Sequence, residues 1–238
     1  MINWGELIAE YNDMRYFATD PVAVVRRCKE KRDIEVMGIV CSWLALGNRN
    51  QIFKKCCMAY DLMDGRPYDY VMSGSWREYK GSGVNFYRMF FYRDFYDLMQ
   101  SLYNVYLRFE TLEDAIIARN EEFGGRNAYL EALIYYLRAN GIPQNTKSAC
   151  KRLCLFLRWM VRCDGIVDLG VWSRLNAGDL LIPLDVHVNR VAREHNLLTR
   201  PSADMRAVQE LTNKCKELYP YDPAIMDFAL FGAGYNDK

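Results

Sequence analysis

The chain has 238 residues, 51% hydrophobic and 26% charged, with a formal net charge of +1 at neutral pH. That length can bury a sizeable core, and the balance of apolar and charged residues excludes a disordered or low-complexity chain. No stretch approaches the roughly 20 uninterrupted apolar residues of a membrane-spanning helix, and Glu6 and Glu10 stand where a secretory leader would be basic and then apolar, so a cytoplasmic protein is expected.

Asp20-Pro21 is a helix start, with the acid as cap and proline at the first helical position, and it opens a helix over Val22 to Lys31. Asp33 is expected to cap a second helix, in which Val36, Ile39, Val40 and Trp43 share a face and which Gly47-Asn48 closes. A third helix runs from about Asn50 to Met63 and stops at Asp64-Gly65-Arg66-Pro67. Ser73 to Gly83 is rich in Gly and Ser and reads as a loop, whereas the aromatic run from Phe86 to Phe109 reads as helices packed by large side chains. Thr111 with Asp114 three residues on forms a capping box for a helix to about Glu122; Gly124-Gly125 breaks it, and Asn127 to Asn140 is the next helix. No repeat and no period-two strand pattern stands out. The expected fold class is therefore all-α, a single compact helical domain over 1–238 that divides into two lobes with a cleft between them, about 30–140 and the N-terminal helix plus about 141–238.

The eight cysteines contain no Cys-x-x-Cys pair, and neither His187 nor His195 has a cysteine nearby. They read as reduced, mostly buried thiols, and neither a metal nor a cofactor is expected.

Charge is unevenly distributed. Between Glu131 and Asp164 there is no acid, while Arg138, Lys147, Lys151, Arg152, Arg158 and Arg162 are all basic. On a helix from Ser148 to Arg162, with about 100° per residue, Lys147, Lys151, Arg158 and Arg162 fall on one stripe, and Leu153, Phe156, Leu157 and Met160 fall opposite. A stripe without acids to neutralise it suits contact with phosphates, so duplex DNA is the expected partner. Next comes Ile182-Pro183-Leu184-Asp185-Val186-His187: proline forces an extended approach, and Asp185 caps a helix with Val188, Val191 and Ala192 turned inward. A capping carboxylate gives one oxygen to the backbone and can aim the other at a ligand.

This run followed by an amphipathic helix resembles the Pro-x-Asp-x-His/Arg segment of helix-hairpin-helix DNA glycosylases, and the spacing resembles the archaeal 8-oxoguanine type. Lys151, Leu155, Arg158 and Trp159 stand where that type has Lys-x-x-x-Phe-x-x-Lys-Met. More broadly, Asp33 to Met63, Cys150 to Arg162, Ile182 to Arg200 and Asp222 to Gly234 resemble a bacterial family known as domain of unknown function 2400. The resemblance implies a DNA glycosylase and strand lyase of base excision repair acting on an oxidised purine, with Lys151 as nucleophile and Asp185 as its electrostatic partner. Lys147, directly after the Ile142-Pro143 turn, is the alternative nucleophile. A lysine amine attacks only when neutral, and neighbouring cations favour that form. Asn48, Arg49 and Asn50 are expected to fill the hole left by an extruded nucleotide, and Lys147, Arg158, Arg162, His187 and Arg190 to contact DNA. Two alternatives stay open. A helical DNA-binding protein without chemistry fits Ile142–Thr146, which lacks both glycines of the phosphate-holding Leu-Pro-Gly-x-Gly turn that the resemblance implies there, and a helical interaction protein without nucleic acid fits the near-neutral charge. The oligomeric state is not legible.

Overall fold

The structure is a computed structural model and describes residues 2–124 and 128–235. Gly125 and Asn127, where the sequence suggests a helix break and a helix start, lie outside the described residues. The elements in chain order are α1 (Trp4–Tyr11), α2 (Pro21–Val25), α3 (Lys31–Leu44), α4 (Arg49–Leu62), α5 (Pro67–Ser73), β1 (Asn85–Tyr87), β2 (Phe90–Phe91), α6 (Tyr92–Tyr106), α7 (Leu112–Glu122), α8 (Tyr129–Tyr136), α9 (Lys151–Val161), α10 (Val186–Glu194), α11 (Met205–Leu218) and α12 (Met226–Tyr235). The fold is all-α, with one antiparallel two-stranded hairpin. No helix among the described residues is long and apolar enough to cross a membrane. The chain forms two compact units: Thr19–Asn145 is one, and the segments before and after it, up to Ala18 and from Thr146, make the other.

In the continuous unit, Asp20 caps α2 by accepting the Val22 N–H at 3.1 Å. The helix ends at Val25, well short of the Lys31 that the sequence suggests. Asp33 is not the cap of α3 either. Glu30 holds that position without a side-chain bond, and the Asp33 carboxylate accepts the Tyr68 N–H at 2.8 Å in the first turn of α5. Cap residues serve whichever free N–H the tertiary fold brings near, and that can be one far along the chain. The Thr111 capping box forms as its sequence suggests, with Asp114 accepting the Thr111 N–H at 3.0 Å. A fully buried carboxylate from α3, Glu35, accepts the Leu112 and Glu113 N–H groups at 2.9 and 3.2 Å and so reinforces the same terminus.

The aromatic run is only partly helical. Phe86 and Phe90 sit on β1 and β2, and both are buried: Phe90 stacks on Trp43 at 4.4 Å and Phe86 on Phe95 at 5.0 Å. Aromatic side chains suit a hairpin face as well as a helix face, so composition alone does not separate them.

In the other unit α12 lies against α1 and α10 through two glycines. A Cβ at Gly232 would fall 2.2 Å from the Tyr11 ring, and one at Gly234 would fall 2.3 Å from His187 Nε2. Phe17 packs edge-on against Phe228 with centroids 5.6 Å apart. Residues 163–180 fold back over the end of α9: the Leu169 and Gly170 N–H groups donate to the Trp159 carbonyl at 2.9 and 3.1 Å, and the Trp172 N–H to that of Met160 at 2.9 Å. These bonds satisfy carbonyls that the last turn of a helix leaves open. Trp172 then packs its ring on Phe156, with centroids 5.3 Å apart.

Candidate functional site

The helix carrying the basic stripe is shorter than its sequence suggests, Lys151–Val161 rather than Ser148–Arg162. Lys147 lies outside it, exposed, in a turn whose backbone is tied to α11 through the Met205 N–H. Cys150 precedes the helix in a left-handed conformation, φ +47°, which costs a residue with a Cβ about 1 kcal/mol or more. That kink starts α9 abruptly and makes Lys151 its first residue.

The first turn of a helix is an unfavourable place for a cation, because it meets the positive end of the helix dipole, unless a carboxylate answers it. Asp185 does so. Its Oδ1 accepts the Val188 N–H at 2.7 Å and caps α10, while its Oδ2 lies 3.3 Å from Lys151 Nζ. The lysine side chain is 37% exposed and the carboxylate 33%, so a ligand can reach both. Ile182 and Leu184, both buried, anchor the extended approach to Asp185, and the Ile182 N–H donates to Thr212 Oγ1 of α11 at 3.2 Å. Val188, Val191 and Ala192 turn inward and are buried. Val186, beside Asp185, is instead 90% exposed.

The other stripe residues behave differently, and the expectation of a phosphate-facing stripe through Arg158 and Arg162 is corrected. These two side chains are only 3% and 2% exposed, and they are held by two and three carboxylates respectively. Arg158 pairs with Asp168 at 3.2 Å and with Asp227; Arg162 pairs with Asp222 at 2.9 Å, Asp164 at 3.0 Å and Asp168. Helix α9 has no acids of its own because its counter-charges come from the fold-back segment and from the start of α12. Charges buried this deeply must be paired, since desolvation of an unpaired ion costs several kcal/mol. No phosphate can replace those partners without opening the core.

The network shapes the acids' titration. Burial pushes the Asp227 carboxyl up to about 6; the Arg158 guanidinium pulls it back, the charges of Asp185 and Asp168 push further, and Lys151 opposes them. Asp227 therefore lies within the field of the Lys151–Asp185 pair. Burial also raises Asp168 against the pull of both arginines. For Arg162 burial acts downward, but the Asp222 hydrogen bond and the charges of Asp168, Asp222 and Asp164 outweigh it and raise the guanidinium. Asp164 is lowered: burial opposes the change, while the Ile166 N–H, the Arg162 charge and the Asn12 amide produce it.

The remaining expected residues are dispersed. His187 is half-buried, with its Nε2 against Gly234, where a Cβ would fall 2.3 Å away. Arg190 is exposed and pairs with Glu194 at 2.8 Å. Asn48, Arg49 and Asn50 belong to the continuous unit. There the Asn48 side chain accepts the Asn50 and Gln51 N–H groups at 3.0 and 3.3 Å and caps α4, and Arg49 pairs with Asp20 at 3.3 Å. The sequence alone does not point to Asp168 and Asp227, although the excess of base on α9 is a signal that acids must come from elsewhere. Among the described residues no group of three His, Cys, Asp or Glu side chains is arranged to hold a metal.

A family model described as "Protein of unknown function (DUF2400)" matches residues 20–236. No curated protein and no solved structure matches the chain.

Proposed function

The chain belongs to the DUF2400 family, and on that footing we propose that it acts on damaged bases in duplex DNA, as a glycosylase and strand lyase using Lys151. One observation carries the reading: Lys151 Nζ and Asp185 Oδ2 lie 3.3 Å apart at a partly open surface, although 34 positions separate them in the chain. The neutral amine of Lys151 attacks C1′ of the damaged nucleotide. As the N–C1′ bond forms, the glycosidic bond breaks and its electron pair leaves with the base, which takes up a proton. Opening of the C1′–O4′ bond gives a Schiff base, and β-elimination then releases the C2′ proton to solvent, forms the C2′=C3′ bond and breaks the C3′–O bond, whose electron pair leaves with the 3′ phosphate. Asp185 holds the amine beforehand and stabilises the positive charge that develops on the sugar, and its second oxygen is fixed by the Val188 N–H so that it need not reorganise. The expected substrate is an oxidised purine.

The test is a panel of duplexes, each with one damaged base, incubated with the protein and borohydride. A covalent protein–DNA adduct that Lys151→Gln removes supports the assignment. Loss of the adduct in Lys147→Gln, with Lys151→Gln still trapping, moves the nucleophile to the turn before α9. A second reading, a DNA-binding protein without chemistry, is favoured by the absence of both hairpin glycines from Ile142–Thr146; duplex binding with neither adduct nor base release across the panel decides for it.

A further inference from the structure

We infer that the tip of the β1–β2 hairpin, Arg88-Met89, is the element that enters the stacked bases of duplex DNA, rather than the Asn48–Asn50 junction; the inference rests on the DNA reading above. The junction side chains are engaged in folding, since Asn48 caps α4 and Arg49 pairs with Asp20. The hairpin abuts that junction and presents what it lacks. Tyr87 Oη donates to the Leu46 carbonyl at 2.9 Å, and Arg88 lies over Gly47 so closely that a Cβ there would be 2.0 Å from its Nη1.

The tip is held rigidly. Asn85 Nδ2 donates to the carbonyls of Arg88 and Phe90 at 2.9 and 3.2 Å, and the flanking Phe86 and Phe90 are buried. Arg88 itself adopts a left-handed backbone, φ +52°, which only a well-determined surrounding maintains in a residue with a long side chain. On this fixed support Met89 is 58% exposed and Val84 63%.

Charge selects the occupant. From Lys80 to Arg93 the sequence has three cations and no acid, so the surface around the exposed methionine suits a polyanion. Met89 and Val84 together offer too little area for a protein interface, but a methionine at the tip is what a wedge between base steps requires, with the neighbouring cation on the phosphate.

The experiment uses the full chain and a duplex carrying one stable abasic-site analogue with 2-aminopurine opposite it, so that neither the lesion nor turnover needs to be known. The native protein is expected to bind and to raise the 2-aminopurine fluorescence as the opposite base unstacks. Met89→Ala should still bind but lose that rise. Arg88→Asn, which tolerates the left-handed backbone, should flatten the salt dependence of binding by about one unit. A full fluorescence rise in Met89→Ala, or a loss confined to Asn48→Ala, overturns the hairpin assignment and leaves the DNA reading in place. Failure of the native protein to bind any duplex overturns both.

Discussion

Asp185 serves the fold and the proposed chemistry with different oxygens, and a substitution that keeps one and removes the other separates them. Asparagine still caps a helix, so Asp185→Asn preserves the bond from the Val188 N–H. What it loses is a partly exposed pair with Lys151, worth about 1 kcal/mol or less. Chemical denaturation should therefore move little, while borohydride trapping or base release should slow by about 10² to 10³, the usual scale for a preorganised electrostatic partner. A loss of stability equal to the loss of activity would reduce Asp185 to a capping residue. Both oxygens are legible in the sequence: proline at position 183 sets the approach, and a carboxylate at a helix start has one oxygen to spare. The identity of its partner is legible there only through resemblance, because nothing local links positions 151 and 185.

At the scale of the element, α9 shows where a helical wheel stops informing. The wheel places Lys151, Arg158 and Arg162 on one stripe, but a wheel has no information about what covers a stripe. Residues 163–180, the turn before α12 and the first turn of α12 cover the two arginines with Asp164, Asp168, Asp222 and Asp227, and leave the lysine at the rim. Two consequences follow for Arg158→Met. Removing one partner from a buried ionic network should cost about 3–5 kcal/mol, read from urea or thermal unfolding. The salt slope of DNA binding by the protein that remains folded should stay as in the native chain, since a guanidinium already paired inside releases no counterions from DNA. A flattened slope with unchanged stability would return Arg158 to the surface. Other elements are readable to different degrees for comparable reasons. Thr111 and Asp114 lie three residues apart and decide their cap locally, whereas Asp33 is claimed by the Tyr68 N–H from 35 positions away. The hairpin stays hidden in the sequence because the register shifts between Asn85 and Tyr87, so that Phe86 and Phe90 show no clean alternation.

For the molecule as a whole, the buried acids set a pH dependence whose sign can be stated. The Asp227 carboxyl lies at about 6 in the folded state, above its ordinary value of 3.8, so the folded chain holds that proton more tightly than the unfolded one. The stability this contributes is fully present below about pH 4 and is lost as pH rises through about 6, by at most about 3 kcal/mol. Asp164, lowered in the folded state, contributes in the opposite sense. The difference between native protein and Asp227→Asn isolates the first effect: unfolding free energies measured from pH 4 to 7 should fall more steeply in the native chain, and parallel curves would count against a raised Asp227. The two-unit layout has a further consequence, because α1, which begins at Trp4, closes on α12, which begins at Met226, through the contact of Tyr11 with Gly232. During synthesis the ribosome releases residues 19–145 as an uninterrupted stretch that can fold as it emerges. The unit bearing Lys151 and Asp185 cannot close until translation has passed Gly232, so a nascent chain stalled earlier carries the lysine and the aspartate without the helix that Tyr11 packs against.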